Sequence, residues 1–206
     1  MEDVLRASGK MMDKLINDAA RAIIAEADHL TALDQAIGDG DHGINMKRGM
    51  EAVLAEVPKL AGKPPGEVLK AIGMQLVMKV GGASGPLFGT LAMEFGKGLP
   101  SHPTRADITR AFAAAVAAVA ARGKAEQGQK TMLDVLIPVS EALNAGASAV
   151  EVKAIALAAA NATIPVKATR GRASFLGERS VGHMDPGSWS SAMIITAICN
   201  RLGDKS

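Results

Sequence analysis

The run Asp34-Gln35-Ala36-Ile37-Gly38-Asp39-Gly40-Asp41-His42-Gly43-Ile44-Asn45 breaks the chain between two stretches of helical spacing. Upstream, a first helix is predicted over about Met11–Glu26, and Leu30, Leu33 and Ile37 then share one face of a short turn. Downstream, Met46, Met50, Val53, Leu54 and Val57 recur at helical spacing from near Gly43. The same alternation of helix and Gly- or Pro-marked loop continues to the end. Pro64-Pro65 opens a third helix reaching about Val80, and a fourth covers about Leu87–Lys97 after Gly81-Gly82-Ala83-Ser84-Gly85-Pro86. A fifth follows Asp107 through an alanine-rich run to Arg122. Thr131-Met132-Leu133-Asp134 begins a sixth with a capping-box pattern, and Ser148 caps a seventh that ends around Val166. After a long loop, Lys167 to Asp185, Pro186 suits the first turn of an eighth.

About eight helices with mostly short connections predict an all-α fold, an eight-helix antiparallel up-and-down barrel or bundle, as one domain over residues 1–206. In that topology alternate loops share one rim. The loops after helices one, three, five and seven are the four unusual ones, so a site is expected where they meet.

Composition narrows the function classes. Four Phe, one Trp and no Tyr argue against a sandwich or barrel of strands and leave few stacking platforms for nucleic acid. A net charge of +2 gives no strong pull toward DNA or an anionic membrane, so neither is expected as a partner. The apolar run Ala111–Ala121 is too short to span a bilayer, which takes about 20 residues. Charged Glu2, Asp3, Arg6 and Lys10 do not make a signal peptide. The single cysteine, Cys199, ends an apolar run and reads as a core residue; a soluble, cytoplasmic protein is expected.

The four loops carry the chemistry. Asp34, Asp39 and Asp41 fall within eight residues, and the glycines between them let hard oxygen ligands converge on magnesium or calcium. An EF-hand is excluded because its closing Glu is missing. The alternative is a turn in which Asp41 caps the next helix. His42 and Asn45 suit phosphate or nucleotide contacts, or a cap and a solvated surface position. Gly81–Pro86 offers backbone N–H groups at a helix start to phosphate, or is a tight interhelix turn, and lacks the P-loop lysine. The third loop, Gly123–Met132, supplies Lys124, Lys130 and a Met132 that packs on a base or in the core. The fourth carries Lys167, Arg170, Arg172, Arg179, His183 and Asp185, a solvated charge run or a source of a phosphate-binding arginine. Together they form a set suited to phosphoryl transfer.

Four ordered blocks resemble the dihydroxyacetone kinase L subunit family over nearly the whole chain: Leu33-Asp34 with Gly38 to Met46; Gly82 to Thr90; Lys130 to Asp134; and Gly171 to Ser174, Gly177 to Ser180 and Gly182 to Gly187. The resemblance implies an eight-helix barrel with nucleotide at one end, and Asp34, Asp39 and Asp41 holding two Mg2+ at the phosphates of ADP or ATP. By motif position it implies that His42, Gly43, Ile44 and Asn45 line the nucleotide, with Ala83 and Ser84 near phosphate. Gly123 and Met132 would border adenine, and Arg172 with Asp185, Pro186 and Gly187 would complete the site. No side chain need be a nucleophile, so no catalytic residue is expected. Gln129 and the pair Ser188-Trp189 depart from the family pattern.

In that family the ketone is held by a separate K-type subunit, and in the phosphotransferase-system branch an M-type phosphohistidine subunit rephosphorylates bound ADP. The expected partners are therefore K- and M-type subunits, with a homodimer as a further candidate. The competing expectations are an ATP-dependent two-subunit ketose kinase and a nucleotide-bound regulatory adaptor.

Overall fold

The computed structural model describes residues 2–203, and side chains from Lys10 onward. Met1, residues 204–206 and the side chains of Glu2, Asp3 and Arg6 lie outside it, and so does that much of the expected 1–206 domain and of the signal-peptide reading. The described residues form α-helices and 3-10 turns without strands: α1 (Glu2–Ala25), α2 (Ala27–Ile37), α3 (His42–Glu56), α4 (Pro65–Lys79), α5 (Ser84–Lys97), α6 (Arg105–Gly123), α7 (Leu133–Asn144), α8 (Ala149–Ala162) and α9 (Pro186–Gly203). The 3-10 turns are Val57–Leu60, which prolongs α3, and Arg172–Ser180.

Packing closes these helices into a ring. Each of α3 to α8 contacts its successor, α1 contacts α3, and α9 returns to α1. The ring holds eight helices, as an antiparallel barrel requires. The ninth, α2, corrects the expected count. Leu30, Leu33 and Ile37, read as a short turn, belong to an 11-residue helix that continues α1 after Glu26 and packs on α3, α9 and the 172–180 turn. Buried Ala27, Leu30 and Ile37 give it an inward face long enough to pack.

Small residues set how closely the ring closes. A Cβ on Gly66 would meet the Gly96 carbonyl oxygen at 2.5 Å, and one on Gly73 would meet that of Gly89 at 2.8 Å. The glycines are seven positions apart on both α4 and α5, so both pairs meet as the antiparallel helices cross. Inside, Ile23, Met46, Val53, Leu76, Val119 and Leu136 are buried together. A second cluster joins α7, α8 and α9 and includes Cys199, whose thiol burial pushes above its ordinary pKa. Capping boxes start α6 (Thr104, Asp107) and α8 (Ser148, Glu151). The box expected at Thr131 is half made: Asp134 accepts the Thr131 N–H, while the Thr131 hydroxyl takes that of Leu133 instead. Among the described residues, no helix is long and apolar enough to cross a membrane.

Candidate functional site

One cleft draws residues from all four loops. The first loop begins where α2 stops. Asp34, in the last turn of α2, turns a carboxylate toward the start of α3, where Oδ2 accepts the N–H groups of Asp41 (2.9 Å) and His42 (3.1 Å). The cap of α3 is therefore made by Asp34, and Asp41 makes no side-chain cap bond. Gly38 and Gly40 make this possible: a Cβ on Gly38 would meet Asp34 Oδ1 at 2.1 Å, and Gly40 sits at φ +76°. The result is that one oxygen from each of Asp34, Asp39 and Asp41 lies within 4.8 Å of the others. Asp34 is buried, whereas Asp39 and Asp41 are exposed.

His42, the first residue of α3, is 7% exposed and joins three elements. Its Nδ1 lies 3.0 Å from Ser84 Oγ at the start of α5, and its Nε2 lies 3.1 Å from Ser190 Oγ in α9. The Ser190 hydroxyl donates to the Pro186 carbonyl at 3.0 Å. Ser190 Oγ therefore accepts from Nε2–H, and Nδ1 accepts from the Ser84 hydroxyl. Burial pushes the imidazole below its ordinary pKa, against the opposing pull of Asp34 and Asp41.

The second loop presents Gly81, Gly82, Ala83 and Ser84 to the cleft and leads into the N-terminus of α5, whose first-turn N–H groups have no helix partner. Leu87 and Phe88, one turn later, form an apolar wall with Met132, and Ile37 lines the cleft from a separate cluster with Ala168 and Ala173. The third loop is shaped by Asp134, which accepts the N–H groups of Gly128 (2.6 Å) and Thr131 (2.7 Å). The fourth loop contributes Arg170–Ala173 and then Asp185, Pro186 and Gly187 at the start of α9. Arg172 reaches across the mouth, its Nη1 2.8 Å from Asp39 Oδ2. Asp185 accepts the Ser188 N–H at 2.6 Å, and burial pushes its carboxyl up to about 7.

Of the residues singled out from sequence, Asp34, Asp39, Asp41, His42, Ala83, Ser84, Met132, Arg172, Asp185, Pro186 and Gly187 line this cleft. Gly43, Ile44, Asn45 and Gly123 stand outside the lining. Gly43 is the point where α3 rests on α2, since a Cβ there would meet the Ala27 carbonyl oxygen at 1.9 Å. Asn45 is a support: its amide backs onto Gly81 and accepts from Arg48 Nη2 at 2.7 Å. Ile44 is 61% exposed in the first turn of α3, and Gly123 ends α6 beside Leu87. Lys167 pairs with Glu178, and Arg179 and His183 are exposed away from the lining. Sequence reasoning missed Ser190 and did not separate Lys130 from Lys124; only their contacts distinguish them. Of the departures, Gln129 caps its own loop by accepting the Glu126 N–H, and Trp189 Nε1 donates to Glu26 at 2.9 Å.

The set fits a divalent cation with phosphates. All three donors are carboxylate oxygens, suited to a hard ion. Their charge already draws the guanidinium of Arg172 to Asp39, and the N-terminus of α5 lines the same cleft.

Comparison with known proteins agrees. Residues 36–200 match the DAK2 domain family. The chain is 42% identical over 184 residues to the ADP-binding subunit DhaL of PEP-dependent dihydroxyacetone kinase 1 from Listeria innocua serovar 6a, covering 89% of this chain and 91% of that one. It is 45% identical over 175 residues to the corresponding ADP-binding subunit from Escherichia coli K12, covering 80% and 83%. In fold it resembles the dihydroxyacetone kinase of C. freundii, with a TM-score of 0.77 for the native form and 0.74 for the complex with AMP-PNP and Mg2+. Identity there is 23% and 22%; each match covers 93% of this chain and 34% of that kinase, about a third of its length.

Proposed function

The chain belongs to the DAK2 domain family, and on that premise we propose that it is the ADP-binding subunit of a dihydroxyacetone kinase, a single L-type domain active only with its partner subunits. The observation that carries this is the meeting of all four loops in one cleft around three aspartate oxygens within 4.8 Å of one another. The kinase-subunit names of relatives at 42% and 45% identity support it.

Asp34, Asp39 and Asp41 would hold two Mg2+ ions, which supply charge neutralisation at the phosphates. The chain's own groups do the rest. N–H groups of the Gly81–Ser84 loop and the α5 N-terminus receive phosphate oxygens. The Ser84 hydroxyl, its proton turned to His42 Nδ1, keeps its lone pairs toward that space. Arg172 closes the mouth with a planar, permanently charged fork. Leu87, Phe88 and Met132 give the base an apolar wall, Gly123 lies beside Leu87, and Ile44 stands exposed in the first turn of α3. Gly43 and Asn45 hold the first and second loops from behind. No side chain acts as a nucleophile: the protein positions reactants and offsets charge.

In this reading the phosphoryl group passes from a phosphohistidine on an M-type subunit to bound ADP, and from there to a hydroxyl of dihydroxyacetone on a K-type subunit. The setting is cytoplasmic, with neither nucleic acid nor membrane as partner. Reconstitution with dihydroxyacetone and a K-type subunit tests it. Product that requires the phosphohistidine donor and only catalytic ADP supports the proposal. Product from ATP alone makes the chain part of an ATP-dependent kinase, and no product from either donor leaves a regulatory adaptor.

A further inference from the structure

Lys130 is, among the described residues, the largest side chain buried to near completion, at 1% exposure. Among the described residues no carboxylate lies within ion-pair distance of it. Its Nζ sits in a ring of backbone carbonyls, donating to those of Thr163 (2.8 Å), Val166 (2.9 Å) and Ser180 (2.8 Å), with Ile164 at 3.4 Å. Three of these belong to the chain just leaving α8, where carbonyls lack helix partners and the helix dipole favours a cation. The fourth lies at the far end of the 172–180 turn. Three N–H donors of one ammonium thus close the base of a long excursion. The same base is tied by Gly182 N to Ile164 O, Ala168 N to Ser180 Oγ and Asp185 N to Thr163 Oγ1.

The tip of that excursion carries Arg172, and its end carries Asp185-Pro186-Gly187. Lys130 itself adopts φ +62°, a left-handed conformation uncommon outside glycine, and its neighbours grip the arm and the start of α9. Gln129 O accepts the Thr169 N–H at 3.3 Å, and Thr131 O accepts the Ser188 hydroxyl at 2.7 Å.

We propose that Lys130 is a positioning residue, an internal cation whose ring of carbonyls holds the 163–185 arm, and with it Arg172 and the start of α9, over the cleft. The consequence for ligand binding rests on the reading of that cleft as the nucleotide site; the holding of the arm does not.

The test uses the full chain with Lys130→Ala and Lys130→Met, followed by amide hydrogen exchange and by titration with ADP and Mg2+. In both variants amides of residues 164–185 exchange at least about tenfold faster while those of α3 to α6 keep their protection, and ADP affinity falls about 10- to 100-fold. Adding propylammonium to Lys130→Ala, which has room for it, restores both; propanol does not, and Lys130→Met, whose stem fills the space, does not respond. Unchanged arm exchange overturns the proposal, and so does uniform loss of protection or failure of both variants to fold, which would make Lys130 an ordinary core residue. A loosened arm with unchanged ADP affinity overturns the link to the site. Wild-type protein that binds no ADP contradicts the nucleotide reading alone, and the arm is then judged by exchange and its propylammonium rescue.

Discussion

Arg172 Nη1 lies 2.8 Å from Asp39 Oδ2, joining the last of the four loops to the first across the mouth of the cleft. The side chains are 69% and 37% exposed, so the pair adds little to stability. What it does is keep a guanidinium beside three acids whose charges gather where phosphates and magnesium are proposed to sit.

Replacing Arg172 with Ala therefore weakens ADP binding without unfolding the protein. Loss of a charge-assisted contact of about 1.5–3 kcal/mol corresponds to roughly ten- to hundredfold in affinity. Calorimetric titration reads this directly, with thermal denaturation as the control. Arg172→Lys recovers only part, because an ammonium lacks the planar fork. Unchanged affinity in Arg172→Ala removes that residue from the site.

Asp34 is the one buried member of the acid trio. Asp34→Asn preserves an oxygen for the Asp41 and His42 N–H groups but removes the charge, so helix content stays and magnesium-dependent ADP retention is lost. Asp34→Ala removes both, and loses about 1–3 kcal/mol of stability in addition. Full retention in Asp34→Asn refutes the metal assignment.

Asp185 makes stability depend on pH with a defined sign. Burial raises its carboxyl from 3.8 to about 7. Between those values the folded protein keeps a proton that the unfolded chain has lost, so stability falls as pH rises through that window and levels off above it. Urea unfolding at about pH 5 and about pH 8 measures the slope, and Asp185→Asn flattens it. An identical slope in the variant contradicts the assignment.

Gly43→Ala tests the contact of α3 with α2. The added methyl would meet the Ala27 carbonyl oxygen at 1.9 Å and Thr31 Oγ1 at 2.3 Å, neither a flexible chain end. Overpacking of this kind costs about 1–3 kcal/mol, read as a lower denaturation midpoint. A neutral result means α2 moves freely away from α3.

Much of this was legible in the sequence because the governing signals are local. Pro65 at the start of α4, the Ser148–Glu151 capping box and the spacing of Met46, Met50 and Val53 each mark a helix within one turn. The shared rim followed from helix parity, and the cleft draws on all four loops. α2 was less legible because α1 passes into it across Glu26 with no Gly or Pro to mark the joint. Adjacency makes Asp41 the natural candidate in the alternative reading of that loop as a capped turn; Asp34, seven residues earlier, supplies the cap of α3 through a fold-dependent turn. Lys130 and Ser190 were hidden for the same reason, as their partners lie 33 to 50 and 148 residues away. Trp189 shows the reverse: an unexpected residue in the motif is absorbed by Glu26 and by the edge of His29, outside the cleft lining.

The central claim is that this cleft holds ADP through magnesium on Asp34, Asp39 and Asp41. It is tested most directly by denaturing the purified protein, with and without prior chelation, and identifying the released nucleotide by chromatography. The account predicts near-stoichiometric ADP that chelation removes. Protein that arrives empty, and takes up neither ADP nor ATP when magnesium is supplied, would contradict it.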